Sequence, residues 1–248
     1  MGDDNKCMIG LMMAVLQVLA MACRAEHISV DNREFHPGDT IPEACLQDGQ
    51  ADRFFSVRPI PEAVFARMQG KSFKAKCVVP RDSLRYLTCL HTDINGVTKM
   101  GEMVVHVSIA KTVLGIFREL YENAYPIERM RLIDDYDAVD EASMRDNNSS
   151  SFNFRFISHT RKVSKHGKGI AVDINPLYNP YFRHTPDCIG IRYDTVEPAT
   201  GAPYVDRTRD FPYKIVKGDL CYRLFRQHGF EWGGEWYTCK DYQHFELP

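Results

Sequence analysis

The chain has almost no excess of either charge, with 31 Lys and Arg residues against 33 Asp and Glu residues in 248. A nucleic-acid-binding surface normally needs a basic excess or a basic cluster, and here the basic residues are spread along the chain. We therefore expect no nucleic-acid partner. None of the eight Cys residues forms a C-x-x-C pair, which argues against a zinc site built from four thiolates.

Long apolar runs, internal repeats and low-complexity tracts are also missing after the first 22 residues. Residues 7–22, CMIGLMMAVLQVLAMA, are apolar apart from Gln17. This run is short for a membrane span and typical of a signal-peptide core, with a small-x-small cleavage pattern at residues 20–22. A Cys follows directly, so lipoprotein processing would make Cys23 the lipidated first residue. The alternative is a buried N-terminal helix.

We accordingly predict a signal peptide or lipoprotein leader over 1–22, a tether and lead-in over 23–56, and one functional domain over 57–248. The protein is expected to be exported, either periplasmic or lipid-anchored to the cell envelope through Cys23. Export would allow some of the remaining six Cys residues to form disulfides, although free buried thiols are the alternative. We expect a monomer.

Helical and strand-like patterns both occur, which predicts a mixed α+β chain. Residues 84–92 and 99–106 flank Asn95-Gly96, a dipeptide typical of β-hairpin turns. Helical spacing of apolar residues predicts a helix over 108–123, and shorter helices are expected over 61–68 and 219–228. Residues 137–151 are polar, and the run at 147–151 within them is predicted to be a loop. Residues 175–213 lack strong periodicity and are predicted to be a long ordered loop. A loop as long as the second often lines a cleft.

Two stretches carry the candidate chemistry: SKHGKGIAVD at 164–173 and DYQHFE at 241–246. His166, Asp173 and His244 together offer two imidazoles and one carboxylate, which is a zinc set that leaves a fourth position open. Asp173 lies in an apolar run, where a charge is costly unless it is paired or bound to a metal. The alternatives are hydrogen-bonded His residues and an Asp paired with an Arg.

The first stretch fits S-x-H-x-x-G-x-A-x-D and resembles the signature of the zinc D-Ala-D-Ala carboxypeptidase family. That family includes VanY-like carboxypeptidases and L-alanyl-D-glutamate peptidases, and it shares its zinc fold with the Hedgehog signalling domain. The resemblance runs roughly from 65 to 246. Its supporting pieces are LRYL at 84–87, GEMVV at 101–105, the segment 143–155, DINPLYNPY at 173–181 and WGGEW at 232–236.

The resemblance implies a compact domain with a small antiparallel sheet, flanking helices and one zinc ion per chain. The metal ligands would be His166, Asp173 and His244. Asp241 would be the general base, at a position where many relatives carry Glu. Because Asp241 and His244 would face opposite sides of a regular strand, a turn or bulge is predicted between them. Glu235 is an alternative base.

The remaining carboxylate near the C-terminus, Glu246, is a second alternative base. The resemblance also implies that Arg155 binds a developing oxyanion or a terminal carboxylate, and a surface ion pair is the alternative. Ser164, Trp232 and Trp236 are expected to contact substrate. A loop cap for the Ser, and core packing for at least one Trp, are the alternatives.

By resemblance, the reaction would be hydrolysis of an amide bond next to a D-amino acid in peptidoglycan stem peptides. We predict a D-alanyl-D-alanine carboxypeptidase first. An endopeptidase that cuts L-Ala-D-Glu or a cross-bridge is the second possibility. A non-catalytic, zinc-stabilised binding domain, as in Hedgehog, is the third, and a candidate base at Asp241 argues against it.

Overall fold

The computed structural model describes residues 34–157, 160–186 and 192–248. The predicted leader, the lipidation position Cys23 and the start of the lead-in lie outside these residues. No helix in the described part of the chain is long and apolar enough to cross a membrane.

The described residues contain four α-helices and eleven strands, together with short 3-10 helices. The helices are α1 (Glu62–Met68), α2 (Ala110–Glu122), α3 (Asp140–Arg145) and α4 (Leu220–Gln227). The strands are β1 (Ser56–Arg58), β2 (Leu84–Thr92), β3 (Thr98–His106), β4 (Arg129–Met130), β5 (Asn148–Ser149), β6 (Ala171–Asp173), β7 (Tyr181–Pro186), β8 (Arg192–Glu197), β9 (Glu231–Trp232), β10 (Lys240–Asp241) and β11 (His244–Glu246).

The strands form three small antiparallel sheets and one short parallel pair. Their orders are β1-β2-β3, β10-β7-β8 and β6-β11-β9, with β4 beside β5. The fold is therefore mixed, with small antiparallel sheets and few helices, as predicted, although three sheets take the place of the one expected. The predicted hairpin is confirmed, because β2 and β3 pair from Leu84↔His106 to Thr92↔Thr98.

The main core lies between the β2–β3 hairpin, α2 and α4. The apolar stripe of α2 is buried as its spacing predicts. Helix α4 begins where expected, because the Asp219 carboxylate accepts a 2.7 Å hydrogen bond from the backbone N–H of Tyr222. The ring of Phe225 on α4 stacks on Phe245 of β11 at a centroid distance of 4.3 Å. This stack ties the core to a strand that also carries His244.

The two segments predicted to be loops contain regular structure, so both predictions were wrong. Residues 147–151 include β5, and α3 lies in the polar residues just before them. Residues 175–213 include β7, β8 and a 3-10 helix over Ala199–Tyr204. Both depend on contacts that are distant in sequence. Strand β7 pairs with β10, which lies more than fifty residues later. Local periodicity carries no trace of such pairing.

The described part of the predicted lead-in packs against the hairpin. Phe35, Ile41 and Phe54 are buried beside Leu90 of β2. The backbone N–H of Ile41 donates to the carbonyl of Thr98 over 2.9 Å. The cysteines that the structure describes as free thiols are Cys45, Cys77, Cys89, Cys221 and Cys239.

We expect Phe225→Ala to lower the free energy of unfolding by about 3–5 kcal/mol, because it removes a fully buried ring and leaves a cavity behind β11. Tyr237→Ala is the control, since Tyr237 is fully exposed and its removal should change stability by no more than about 0.5 kcal/mol. Denaturant unfolding measures both. Equal losses in the two variants would contradict this account of the core.

Candidate metal centre

Pairing between β6 and β11 brings the two chemical stretches together. These strands are antiparallel neighbours with His244 directly opposite Asp173. His166 begins a short 3-10 helix, His166–Lys168. Gly169 caps this helix, and its φ of 70° lets the chain turn back into β6. A Cβ at Gly169 would lie 2.8 Å from the backbone nitrogen of His106. The turn is therefore packed too closely for a larger residue.

Three donor atoms converge at this point. His166 Nε2 lies 3.0 Å from His244 Nδ1 and 3.2 Å from an Asp173 carboxylate oxygen, and His244 Nδ1 lies 3.0 Å from the other oxygen. Ligands around a tetrahedral zinc ion, at bond lengths of 2.0–2.1 Å, are separated by about 3.3 Å. The spacing of the three donors is close to that value.

In each imidazole, one nitrogen points away from the centre, and its hydrogen bond shows which of the two ring nitrogens carries the proton. His166 Nδ1 lies 2.8 Å from the carbonyl oxygen of Ser151, and His244 Nε2 lies 2.9 Å from a Glu246 carboxylate oxygen. Both partners can only accept, so these nitrogens carry the protons. The unprotonated nitrogens then face each other and the Asp173 carboxylate. Such a set has lone pairs and negative charge but no donor, which fits a bound cation.

Electrostatics point the same way. Burial alone would raise the pKa of the Asp173 carboxyl. His166 and His244 outweigh this effect through their charges and hydrogen bonds, so the pKa is lowered. Burial lowers the pKa of His244, but hydrogen bonds to Asp173 and Glu246 outweigh it and raise that pKa to about 10. The two carboxylates therefore favour positive charge at His244, and a cation bound between the three donors would take the place of the proton on His244 Nδ1.

Asp241 ends β10 and is separated from His244 by a turn over residues 242–243. The turn predicted between them is present. The Asp241 oxygen Oδ1 is buried and has no hydrogen-bond partner in the described residues. Burial raises the pKa of Asp241 to about 6, with the charge of Asp173 adding to this rise and the charge of His244 opposing it. Gly233 packs against Asp241, since a Cβ there would lie 2.7 Å from the Asp241 Cβ.

These groups share one cavity of about 480 Å³. Asp241 and the three donor residues line it together. Its other walls come from α3, the segment before His166, the β7–β8 hairpin and the segment from 236 to 246. The residues of these walls are Asp140, Met144, Arg155, Phe156, Ile157, Ser164, Lys165, Tyr181, Glu197, Trp236, Gln243 and Glu246.

The other sequence-predicted residues divide into two groups. Arg155 lines the cavity and is also paired with Asp140, its Nε lying 3.1 Å from the carboxylate. Trp236 lines it beside His244, with a centroid separation of 5.4 Å. Ser164 is a wall residue whose hydroxyl accepts from the Gly167 N–H over 2.9 Å, so it caps the loop.

Trp232 belongs to the core instead. It is 5% exposed, packs near Phe245, and donates through Nε1 to the carbonyl of Tyr242 over 2.9 Å. The structure thus gives Trp232 the packing role that was the alternative for one of the two Trp residues. It does not line the cavity that contains the three donors.

The two alternative bases have other partners. Glu235 accepts from Tyr222 Oη over 3.1 Å and pairs with Lys217 at 2.7 Å, outside the cavity. Glu246 is engaged with His244, a contact that the sequence reasoning missed. The missed signal was its spacing, because residues i and i+2 of a strand share a face. Ser151 was also missed, since a carbonyl partner has no sequence signature.

Comparison with known proteins gave one match. Residues 158–247 match a family model described as D-alanyl-D-alanine carboxypeptidase. This match supports the predicted family. It contains the three donor residues and Asp241, and it supports a metallopeptidase domain in this part of the chain. Arg155 and the earlier supporting pieces lie before it. No curated protein and no solved structure gave a significant match.

We expect His166→Ala, Asp173→Ala and His244→Ala each to weaken zinc binding strongly, because each removes one of three converging donors. His106→Ala is the matched control, since its ring contacts Ser108 away from the centre and zinc binding should be unchanged. Metal analysis after dialysis gives the occupancy. Full occupancy in any of the three variants would remove that residue from the ligand set.

Proposed function

We propose that this chain is a zinc-dependent peptidase that hydrolyses amide bonds next to D-amino acids in peptidoglycan stem peptides, as a D-alanyl-D-alanine carboxypeptidase. The observation that supports it most is the shared cavity, where a three-donor set and a buried, unpartnered carboxylate oxygen lie together. The family match over 158–247 supports the substrate class.

His166, Asp173 and His244 would hold the zinc ion, one per chain. Zinc bound by such a set supplies Lewis-acid activation of a carbonyl and of water. Asp241 is the proposed general base, because it lines the same cavity and its Oδ1 is not engaged by another group of the described residues. A carboxylate within reach of the activated water can accept its proton and return it to the leaving amine.

Arg155 is the proposed carboxylate or oxyanion binder. Asp140 on α3 holds its guanidinium at the cavity wall, and a guanidinium has further N–H donors for a second anion. Trp236 would flank the peptide beside His244. Ser164 would act by shaping the loop before His166, through its bond to the Gly167 N–H.

We also propose that the protein is an exported monomer that acts in the cell envelope. The support is the apolar run at 7–22 with its cleavage pattern. Cys23 would be the point of membrane attachment if it is lipidated.

Digestion of purified muropeptides by the zinc-loaded protein should release a single terminal D-Ala, detected as a mass loss in the products. Release of larger fragments would replace this proposal with an endopeptidase that cuts L-Ala-D-Glu or a cross-bridge. Binding of muropeptides without cleavage would favour a zinc-stabilised binding domain. The control is the same digestion by His166→Ala protein, which should release nothing.

Asp241→Asn should bind zinc like the parent and hydrolyse a D-Ala-terminated peptide at least about a hundredfold more slowly, because Asn cannot accept the proton. Asp241→Glu should keep part of the activity, since only the reach of the carboxylate changes. Steady-state kinetics and metal analysis test both. Loss of zinc in Asp241→Asn would make Asp241 a ligand or a support for one, and near-parent turnover would exclude it as the base.

A further inference from the structure

Glu246 lies directly behind one of the donor residues. His244 and Glu246 are two positions apart on β11, so both side chains project from the same face of the strand. A Glu246 carboxylate oxygen lies 2.9 Å from His244 Nε2, on the side of the ring away from the other donors. The side chains are 7% and 18% exposed. Water therefore competes little for this hydrogen bond.

Glu246 is itself held by the segment that carries His166. Lys165 Nζ lies 3.9 Å from the second Glu246 oxygen and donates to the carbonyl of Leu247. The backbone of Glu246 pairs with Ala171 on β6, the strand of Asp173. The position of this carboxylate is thus linked to the segments that present all three donors.

The two imidazoles are supported differently. The ring of His166 donates to a neutral carbonyl, that of Ser151, whereas the ring of His244 donates to a carboxylate. A carboxylate partner is a stronger acceptor, so it fixes the ring orientation more firmly and makes the opposite nitrogen a better electron donor.

We propose that Glu246 is a positioning residue for the zinc ion, which fixes the proton of His244 on Nε2 and directs Nδ1 to the metal. This inference rests on the zinc site of the proposed function. It assigns to Glu246 a role different from that of a base. It also makes His244 the zinc ligand whose ring orientation depends on a charged partner.

The experiment compares the zinc affinity of Glu246→Met, Glu246→Gln and Glu231→Gln with the parent by competition with a chelator. Glu231 is the matched control, because it lies opposite Glu246 across β9 and β11 and its side chain is exposed. We expect about 10- to 100-fold weaker binding in Glu246→Met. Glu246→Gln keeps an acceptor oxygen and should recover part of the loss, and Glu231→Gln should match the parent.

A second readout follows the His244 ring by nitrogen-15 NMR in the zinc-loaded proteins. The parent and Glu231→Gln should show an Nε2–H proton that exchanges slowly with water, and Glu246→Met should lose that protection. A general structural role would not move this signal in a folded variant. Unchanged affinity and protection in Glu246→Met, or an equal loss in Glu231→Gln, would overturn the proposal. If Glu246→Met does not fold, unchanged affinity in Glu246→Gln would overturn it.

These outcomes are independent of peptide hydrolysis. A parent that binds zinc but cleaves no muropeptide would refute the proposed function and leave the Glu246 result standing. A parent that cleaves muropeptides, with no effect of Glu246 substitutions on zinc, would refute the Glu246 inference alone.

Discussion

The antiparallel pairing of β6 with β11 is the contact on which the rest of the site depends. It places His244 opposite Asp173 and directs Glu246 onto the same face as His244. Burying two imidazoles and a carboxylate within 3.2 Å of one another is unfavourable in free energy. Backbone hydrogen bonds and the packing of Phe245 on the other face of β11 offset this penalty. The donor set is thereby preorganised by the fold.

Sequence reasoning was strongest where the determinants are local. Strand β2 was predicted with its observed bounds. The start of α4 was also predicted, because the capping residue Asp219 lies directly before the helix in the sequence. The convergence of His166, Asp173 and His244 was predicted from the motif at 164–173 and the stretch at 241–246, together with a resemblance. The turn after Asp241 followed from strand geometry, because two residues three apart cannot share a face without one.

The failures have a common physical origin in long-range contacts. Helix α3 has only six residues, and its Glu141 carboxylate accepts a hydrogen bond from the backbone N–H of Ala199, which lies 58 residues later in the chain. The β7–β8 hairpin is completed by β10. The partner of His244 was missed for a different reason, since Glu246 was considered only as a base. A carboxylate beside a metal site can act on the ligand as well as on the substrate.

Strand β11 has another consequence, which concerns how the chain reaches its native state. Side chains alternate along it, with His244 and Glu246 on the side of the cavity that the three donors line and Phe245 in the core. A slip of one residue against β6 would turn the aromatic ring outward and bury the imidazole among apolar groups. Such a misaligned chain would have no triad of donors. An ion that binds only the native pairing adds its binding free energy to that pairing alone. A zinc ion at the proposed site would therefore favour the native strand register over the slipped one.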